Sequence, residues 1–553
     1  MSEEPSVAHS SNQPAAPATP PATAWAGGHP LVVGVNDLPE NAGLHRAESS
    51  VTGQKRAAVA DLAMRAPQRR PSESLGEGAP PPRDSVAALL HGAVIRSGRR
   101  VVVLDDDPTG TQTVRDVPVV TDWSVPSLRW GLTQPCTAFF VSTNSRSVSA
   151  TRAAAISGEV AENLAEAARQ LDVGVSLISR GDSTLRGHFP AETDALAQAW
   201  ALTTGRPVDA VLLCPAYLES GRVTCDDVHW VVDGGNAVPV AQTEFATDAT
   251  FGYQHSHLPS WVAERSAARW SADQVACMSL HDIRKGGPDR VAEILEGVTG
   301  GRPVVVNALH PADLDVVVLG VLQAEAAGRT VLCRTGPSFV RARAGFGVAP
   351  PLTAEQLRAA SRYDGVPHGL LVAGSHTQLT TRQLARALEL GGFSEVELDV
   401  PALLEADNAP LTSPGGGAPE VVRAADAVAA GLRTGDVLLR TSRRVVTGRD
   451  RAHSLAIAGL AARALVQVVS AGTAVTPPRW VVAKGGITSS DVASQALGIA
   501  RGWVLGQVLP GQVPVWEATG DDAKPGPLCV IFPGNVGDES SLATVVTTLR
   551  AAS

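Results

Sequence analysis

A chain of 553 residues is too long for one hydrophobic core and predicts two domains with extensions. Its net charge of −9 and pI near 5.8 argue against a nucleic-acid scaffold, which needs a basic stripe to neutralise phosphates. No apolar run is expected to reach the roughly 20 residues of a membrane span, so the favoured partner is a small molecule, with no nucleic acid and no membrane. Apolar residues make up 44% of the chain and aromatics only 4%, which points to cores of Val, Leu, Ile and Ala, as in alternating α/β proteins. The six cysteines, at 136, 214, 225, 277, 333 and 529, form no CxxC pair and read as buried reduced thiols. Glu3 and Glu4 followed by Pro/Ala/Ser runs do not resemble a secretory leader, so a cytoplasmic location is expected.

Residues 1–83 are rich in Pro, Ala, Ser and Gly. They are expected to be mostly disordered, because such a composition buries too little apolar surface to offset ordering entropy. Trp25 and LVVGV (31–35) are the candidates there to dock on the folded body. From residue 84 apolar runs alternate with helix-like stretches. VVVL (101–104), TAFFVST (137–143), VGVSLIS (173–179), AVLLCPA (210–216), PVVVNAL (303–309) and TVLCRTG (330–336) read as strands, with helices over 150–171 and 190–202. The alternation predicts an α/β domain with a largely parallel sheet over 84–346. GVAPPLT (347–353) reads as a linker. A second α/β domain follows over 354–553, with strands at GLLVAGS (369–375), DVLLRTS (436–442), WVVAKGG (480–486) and PLCVIFPG (527–534), a helix through 384–390 and an exposed loop at 411–420.

In parallel sheets ligands sit beyond the carboxyl ends of strands. Asp105, Asp106 and Asp107 in VLDDDPTGTQTV (103–114) stand at such an end, followed by a polar turn that includes Thr109 and Gly110. Adjacent carboxylates repel, so they call for Mg²⁺, an arginine or substrate hydroxyls; the plain alternative is a solvated acidic turn. In SRGDSTLRGHFPAET (179–193), Arg180 and Arg186 suit a carboxylate or phosphate, while Asp182, Ser183 and Thr184 add short hydrogen bonds; solvated arginines beside a helix cap are the alternative. His229 reads equally as a base or as a satisfied structural histidine. The second domain carries three glycine turns: Gly374 and Ser375, with Thr380 and Gln383 at capping-box spacing; Gly485 and Gly486 before Thr488; and FPGNVGD (532–538). Glycines let a backbone approach phosphate, and three such turns suggest a nucleotide pocket. Walker GxxxxGK[ST], strand-linked GxGxxG, GxSxG and HExxH patterns are missing, which demotes the common nucleotide-fold, hydrolase and metalloprotease classes.

DDDPTGTQT, FFVSTNSRS, SRGDSTLRGH, PAYLESGRVTCDDVHWV, FVRARAGFG, AGSHTQLTTRQL, AKGGITSSD and FPGNVGD, in this order from about residue 98 to 548, resemble the four-carbon acid sugar kinase family. The resemblance implies an N-terminal α/β domain for the acid sugar and a C-terminal α/β domain for ATP. It implies transfer to a terminal hydroxyl of an erythronate, threonate or 3-dehydrotetronate acid, with Mg²⁺ as companion ion. The family's DDxTG matches Asp106, Asp107, Thr109 and Gly110, with Asp105 as an extra acid. One of Asp106 and Asp107 is then expected to orient or deprotonate the hydroxyl and the other to help hold the metal. DSTLRG matches Asp182 to Gly187, so Asp182, Ser183, Thr184 and Arg186, aided by Arg180, are expected to hold the acid. The ATP motifs fall on Gly374, Ser375, His376 and Thr377, on Gly485, Gly486, Ile487 and Thr488, and on Gly534 and Asn535. Ile487 stands where many members carry an acid, and Arg180 and Gly181 where many show a lysine nearby. Closure about 347–353 is expected to exclude water. The alternatives are a kinase for another small polyhydroxy acid and a non-catalytic nucleotide-responsive binding protein; homo-oligomerisation is left open.

Overall fold

The computed structural model describes residues 33–34 and 83–553, apart from 234–235, 362, 364, 375–376, 408–418, 443–445, 447–448, 450, 520–525 and 535. Trp25 and nearly all of the N-terminal extension, most of the loop expected at 411–420, and Ser375, His376 and Asn535 therefore lie outside the described residues. Of LVVGV, Val33–Gly34 pairs antiparallel with Asn236–Ala237, at the edge of a small antiparallel sheet that continues through Val228–Asp233 to Arg222–Cys225.

Valine-rich runs form the centre of the first half because both of their faces are covered by helices, which suits continuous rather than alternating apolar sequence. Val101 and Val103 pack into one cluster and Val102 and Leu104 into another on the opposite face. The strands lie in the order Ala276–Met278, Arg302–Val306, Ala210–Cys214, Val331–Thr335, Val175–Arg180, Arg100–Asp105, Ala138–Ser142 and Val117–Val120, all parallel to their neighbours. The helix over 150–171 forms as expected, with the Ser149 side chain accepting from the Arg152 amide and Asp172 closing it in left-handed backbone.

The sheet does not stop at Val117–Val120. Arg501–Gln507 from the second half pairs antiparallel with that strand, and the sheet continues through Pro514–Ala518, Leu528–Phe532, Pro478–Lys484, Val366–Ala373 and Asp436–Thr441 to Phe393–Leu398. Val117 and Val119 share one apolar cluster with Val504, Trp516 and Ile531 across this junction. Trp516 Nε1 donates to Thr111 Oγ1 at 3.0 Å, Thr121 Oγ1 to the Ile499 carbonyl at 2.6 Å, and the Leu352 amide to the Gln507 carbonyl at 2.7 Å. The segment 347–353, read as the linker, is thus accompanied by a hydrogen-bonded strand crossing.

One expectation needs correction. The helix Arg451–Val475 includes a stretch, Ala456–Val475, that is long and apolar enough to cross a membrane by length and composition. Its Leu465, Val468 and Val469 are buried among the side chains of Leu370, Val372 and Val481, so core packing explains the apolar face that carries them. The cysteines are free thiols, with Cys136 and Cys277 half-buried and the other four buried.

Candidate functional site

The carboxyl ends of parallel strands from both halves converge on a cavity of about 390 Å³. One wall comes from the first half, with Asp107, Asn144, Arg146, Ser147, Arg186 and Asp248. The other comes from the second half, with Gly374, Gly485, Gly486, Thr488 and Gly534.

The three acids do not share one fate. Asp105, the last residue of its strand, is buried and receives Arg180 Nη1 at 3.1 Å. Its carboxylate fills the space above Gly110, where a Cβ would stand 1.8 Å from Oδ2; only glycine leaves that room. Burial dominates over the pull of Arg180 and pushes the Asp105 carboxyl up to about 7. Asp106 is buried too, with Arg146 Nη2 at 2.5 Å, Arg180 Nη1 at 3.7 Å and Arg334 Nη2 at 3.7 Å; burial, opposed by Arg146 and Arg334, holds it above the ordinary range. Asp107 alone opens to the cavity. Its Oδ1 accepts from the Thr109 amide at 2.9 Å, capping the turn Pro108–Thr111, and its Oδ2 meets Arg146 Nη1 at 3.0 Å. Burial raises the Asp107 carboxyl, but Arg146, Arg180 and the Thr109 amide outweigh it and hold it below the usual carboxylate range.

Arg146 is the residue that sequence reasoning passed over. It lies in the loop after Ala138–Ser142, within FFVSTNSRS, and it clamps two of the three acids at once. Arg334, inside the strand Val331–Thr335, completes the buried network by donating to Glu192 at 3.2 Å and Ser179 Oγ at 2.9 Å. The SRGDSTLRG loop folds over this network: a Cβ on Gly187 would lie 3.1 Å from Asp106 Oδ2. Within the loop, Arg186 Nε donates to Asp182 at 2.7 Å, and the Thr184 hydroxyl donates to the same carboxylate. Although burial raises Asp182, Arg186 and Arg146 prevail and keep it well below the ordinary value. The backbone carbonyls of Ser183 and Thr184 are taken by His229 Nε2 at 2.8 Å and the Tyr253 hydroxyl at 2.6 Å.

His229 resolves as structural. It is fully buried, its other nitrogen meets Thr224 Oγ1 at 2.9 Å, and burial pushes its pKa down to about 4, so it is neutral at physiological pH. The capping expected of Thr380 with Gln383 is corrected by one turn. Thr377 caps the helix Gln378–Leu388, accepting from the Thr380 amide at 3.2 Å, while buried Gln383 ties this helix to the Val536 and Asp538 carbonyls at 3.1 and 2.7 Å.

The glycine turns lie close together. A Cβ on Gly374 would stand 2.7 Å from Thr488 Oγ1, and one on Gly486 would stand 3.1 Å from Asp107 Oδ2, so the two halves touch where the acid faces the turn. Gly485 adopts φ 123°, a conformation that L side chains rarely take. Thr380 Oγ1 donates to the Gly534 carbonyl at 3.4 Å. Ile487 is helical in backbone, at the start of Gly486–Asp491. Among the described residues no three His, Cys, Asp or Glu side chains assemble into a metal-holding group.

Comparison with known proteins agrees with the two walls. A sugar-binding N-terminal domain model matches residues 101–343, and a nucleotide-binding C-terminal domain model matches 370–542. A D-threonate kinase of Bordetella bronchiseptica is 30% identical over 469 residues, covering 82% of this chain and 98% of the relative. A D-threonate kinase of Salmonella typhimurium is 29% identical over 228 residues, 41% of this chain and 46% of the relative. The crystal structure of Haemophilus influenzae protein HI1011 shares the fold at 18% identity and TM-score 0.52, over 81% of this chain and 100% of that one. Since a kinase relative is spanned almost end to end and each half meets its own domain model, the chain belongs to the four-carbon acid sugar kinase family.

Proposed function

We propose that the chain is an ATP-dependent kinase that phosphorylates a terminal hydroxyl of a four-carbon acid sugar, of the erythronate, threonate or 3-dehydrotetronate class. D-threonate is the first candidate because both curated relatives carry that name. The observation that carries the reading is a single cavity with a carboxylate between arginines on one wall and three glycine turns on the other. Phosphoryl transfer asks a protein mainly for in-line placement, charge neutralisation and a group to receive the hydroxyl proton, and this cavity offers residues for each task.

In this reading the nucleotide phosphates lie against Gly374, Gly485, Gly486, Thr488 and Gly534, whose backbones admit close approach. The acid sugar lies on the opposite wall with its carboxylate toward Arg186. Arg180, turned down onto Asp105, acts from beneath the site rather than on the substrate. Asp107 orients the attacking hydroxyl and accepts its proton, because it is the acid of the three that opens to the cavity. Its low pKa keeps it ionised at neutral pH. Asp106 serves as the buried anchor for Arg146. The donor set would suit a Mg²⁺ held chiefly by phosphate oxygens, with Asp107 as the carboxylate of the acidic turn that faces it; such an ion would supply charge neutralisation when bound.

The test is a coupled ADP-release assay with Mg-ATP and a panel of D- and L-erythronate, D- and L-threonate, 3-dehydrotetronates and neutral tetroses. ADP release with one acid, abolished in Asp107→Asn, is the expected result. Silence across the panel with ATP still bound would overturn the catalytic reading in favour of a nucleotide-responsive binder.

A further inference from the structure

The second half contains a buried cation that the reading above leaves unused. Lys484 ends the strand Pro478–Lys484, directly before the Gly485–Gly486 turn, and has no exposed surface. Its Nζ donates to the Pro533 carbonyl at 2.6 Å and the Gly534 carbonyl at 3.2 Å, and sits 4.1 Å from the centroid of the Phe532 ring. All of these partners are dipoles or a π face. Among the described residues no carboxylate forms an ion pair with this ammonium. Burial acts on it without any opposing charge and pushes its pKa down to about 7.

A buried ammonium lacking a counter-anion is costly, since dipoles replace only part of its lost hydration. Its placement indicates where the missing negative charge belongs. Gly485, its chain neighbour, and Gly534, its hydrogen-bond partner, both line the cavity. Lys484 thus stands one residue layer behind the wall that would receive phosphates, and it holds the 533–534 turn in place by its carbonyls. A hydrophobic residue of similar length would fill the same space without the charge, so packing alone does not explain a lysine here.

We propose that Lys484 is a positioning residue for the nucleotide polyphosphate: it fixes the Pro533–Gly534 turn and supplies, from behind it, the positive charge that the phosphates neutralise. The proposal rests on the nucleotide reading of this cavity. It differs from a packing role in being specific to phosphate charge rather than to the fold.

Calorimetric titration of the full chain with ATP, ADP and adenosine separates these roles. Lys484→Met removes charge and donors, whereas Lys484→Gln keeps an amide donor toward the two carbonyls and removes only the charge; the second variant serves if the first does not fold. Both are expected to lose at least tenfold in ATP and ADP affinity, with adenosine affinity within twofold of wild type and KM for the acid substrate unchanged. ATP affinity within twofold of wild type, or an equal loss for adenosine and ATP, would overturn the proposal. A wild-type chain that binds ATP no better than adenosine would instead remove the nucleotide reading, and the role of Lys484 with it.

Discussion

Replacing Arg146 by alanine deletes one guanidinium and strands two carboxylates. Arg146 meets Asp106 at 2.5 Å and Asp107 at 3.0 Å, and the three side chains are 18%, 2% and 17% exposed, so solvent screens these pairs poorly. At such distances, and at an effective dielectric near 20, each attraction is on the order of 5–7 kcal/mol before the desolvation of Arg146 is charged against it. Breaking a buried pair from one side typically costs about 3–5 kcal/mol, and Arg334 and Arg180, both 3.7 Å from Asp106, keep the loss within that range. The pH dependence is the sharper test. Asp107 has a folded pKa below its ordinary value of about 3.9, so its contribution is present above that pH and lost as pH falls through the lower folded value. Without Arg146 its pKa rises, and the carboxyl takes up a proton at a higher pH, which relieves the penalty. Asp106, already raised by burial, protonates sooner still. Guanidinium unfolding at pH 8 and pH 5 should therefore show a gap of about 3–5 kcal/mol between wild type and R146A that narrows at pH 5, by about 1.4 kcal/mol for each pKa unit regained. A gap below about 1 kcal/mol at pH 8, or one identical at both pH values, would refute the reasoning.

Asp107→Asn keeps the size of the side chain and leaves Arg146 its Asp106 partner. Turnover should fall by about 10²–10⁴ in protein that is still folded, with a stability loss no larger than that of R146A because only one of the two ion pairs of Arg146 is removed; activity lost only in proportion to unfolded protein would mark Asp107 as structural. Arg186→Ala should raise KM for the acid substrate well ahead of any change in kcat; an unchanged KM would move the carboxylate contact elsewhere. Gly110→Ala brings a Cβ to 1.8 Å from Asp105 Oδ2, and Arg180 holds that carboxylate in place. A stability loss of about 1–3 kcal/mol accompanied by reduced activity is expected, and wild-type melting would show that the turn yields freely.

The strands with unbroken apolar runs were legible because burial on both faces leaves no polar interruptions, as in Val101–Leu104 or Val437–Leu439. Val117–Val120 and Arg501–Gln507 were not read as strands. The first has only four residues, and the second, seven residues long, is interrupted by Gly502 and Gly506, with a register shift between Val504 and Gly506. The acidic turn and glycine turns were visible as local clusters at strand ends. Arg146 was not, because an arginine among Ser and Asn carries no local signal when its partners lie about forty residues earlier. Lys484 was hidden in the same way: in sequence it is the end of an apolar strand, and only the turn after the neighbouring strand Leu528–Phe532 supplies the carbonyls that hold it.

The pairing of Arg501–Gln507 with Val117–Val120 also bears on how the chain can be divided. A fragment ending within 347–353 would retain Val117–Val120 but lose the strand that satisfies its outer backbone groups, along with Val504 and Trp516 from the shared cluster. Such a fragment would present a bare, valine-lined sheet margin, the kind of surface that recruits another chain's strand. Expressed alone, the first half should therefore self-associate, and adding the second half in trans should return it to a one-to-one complex.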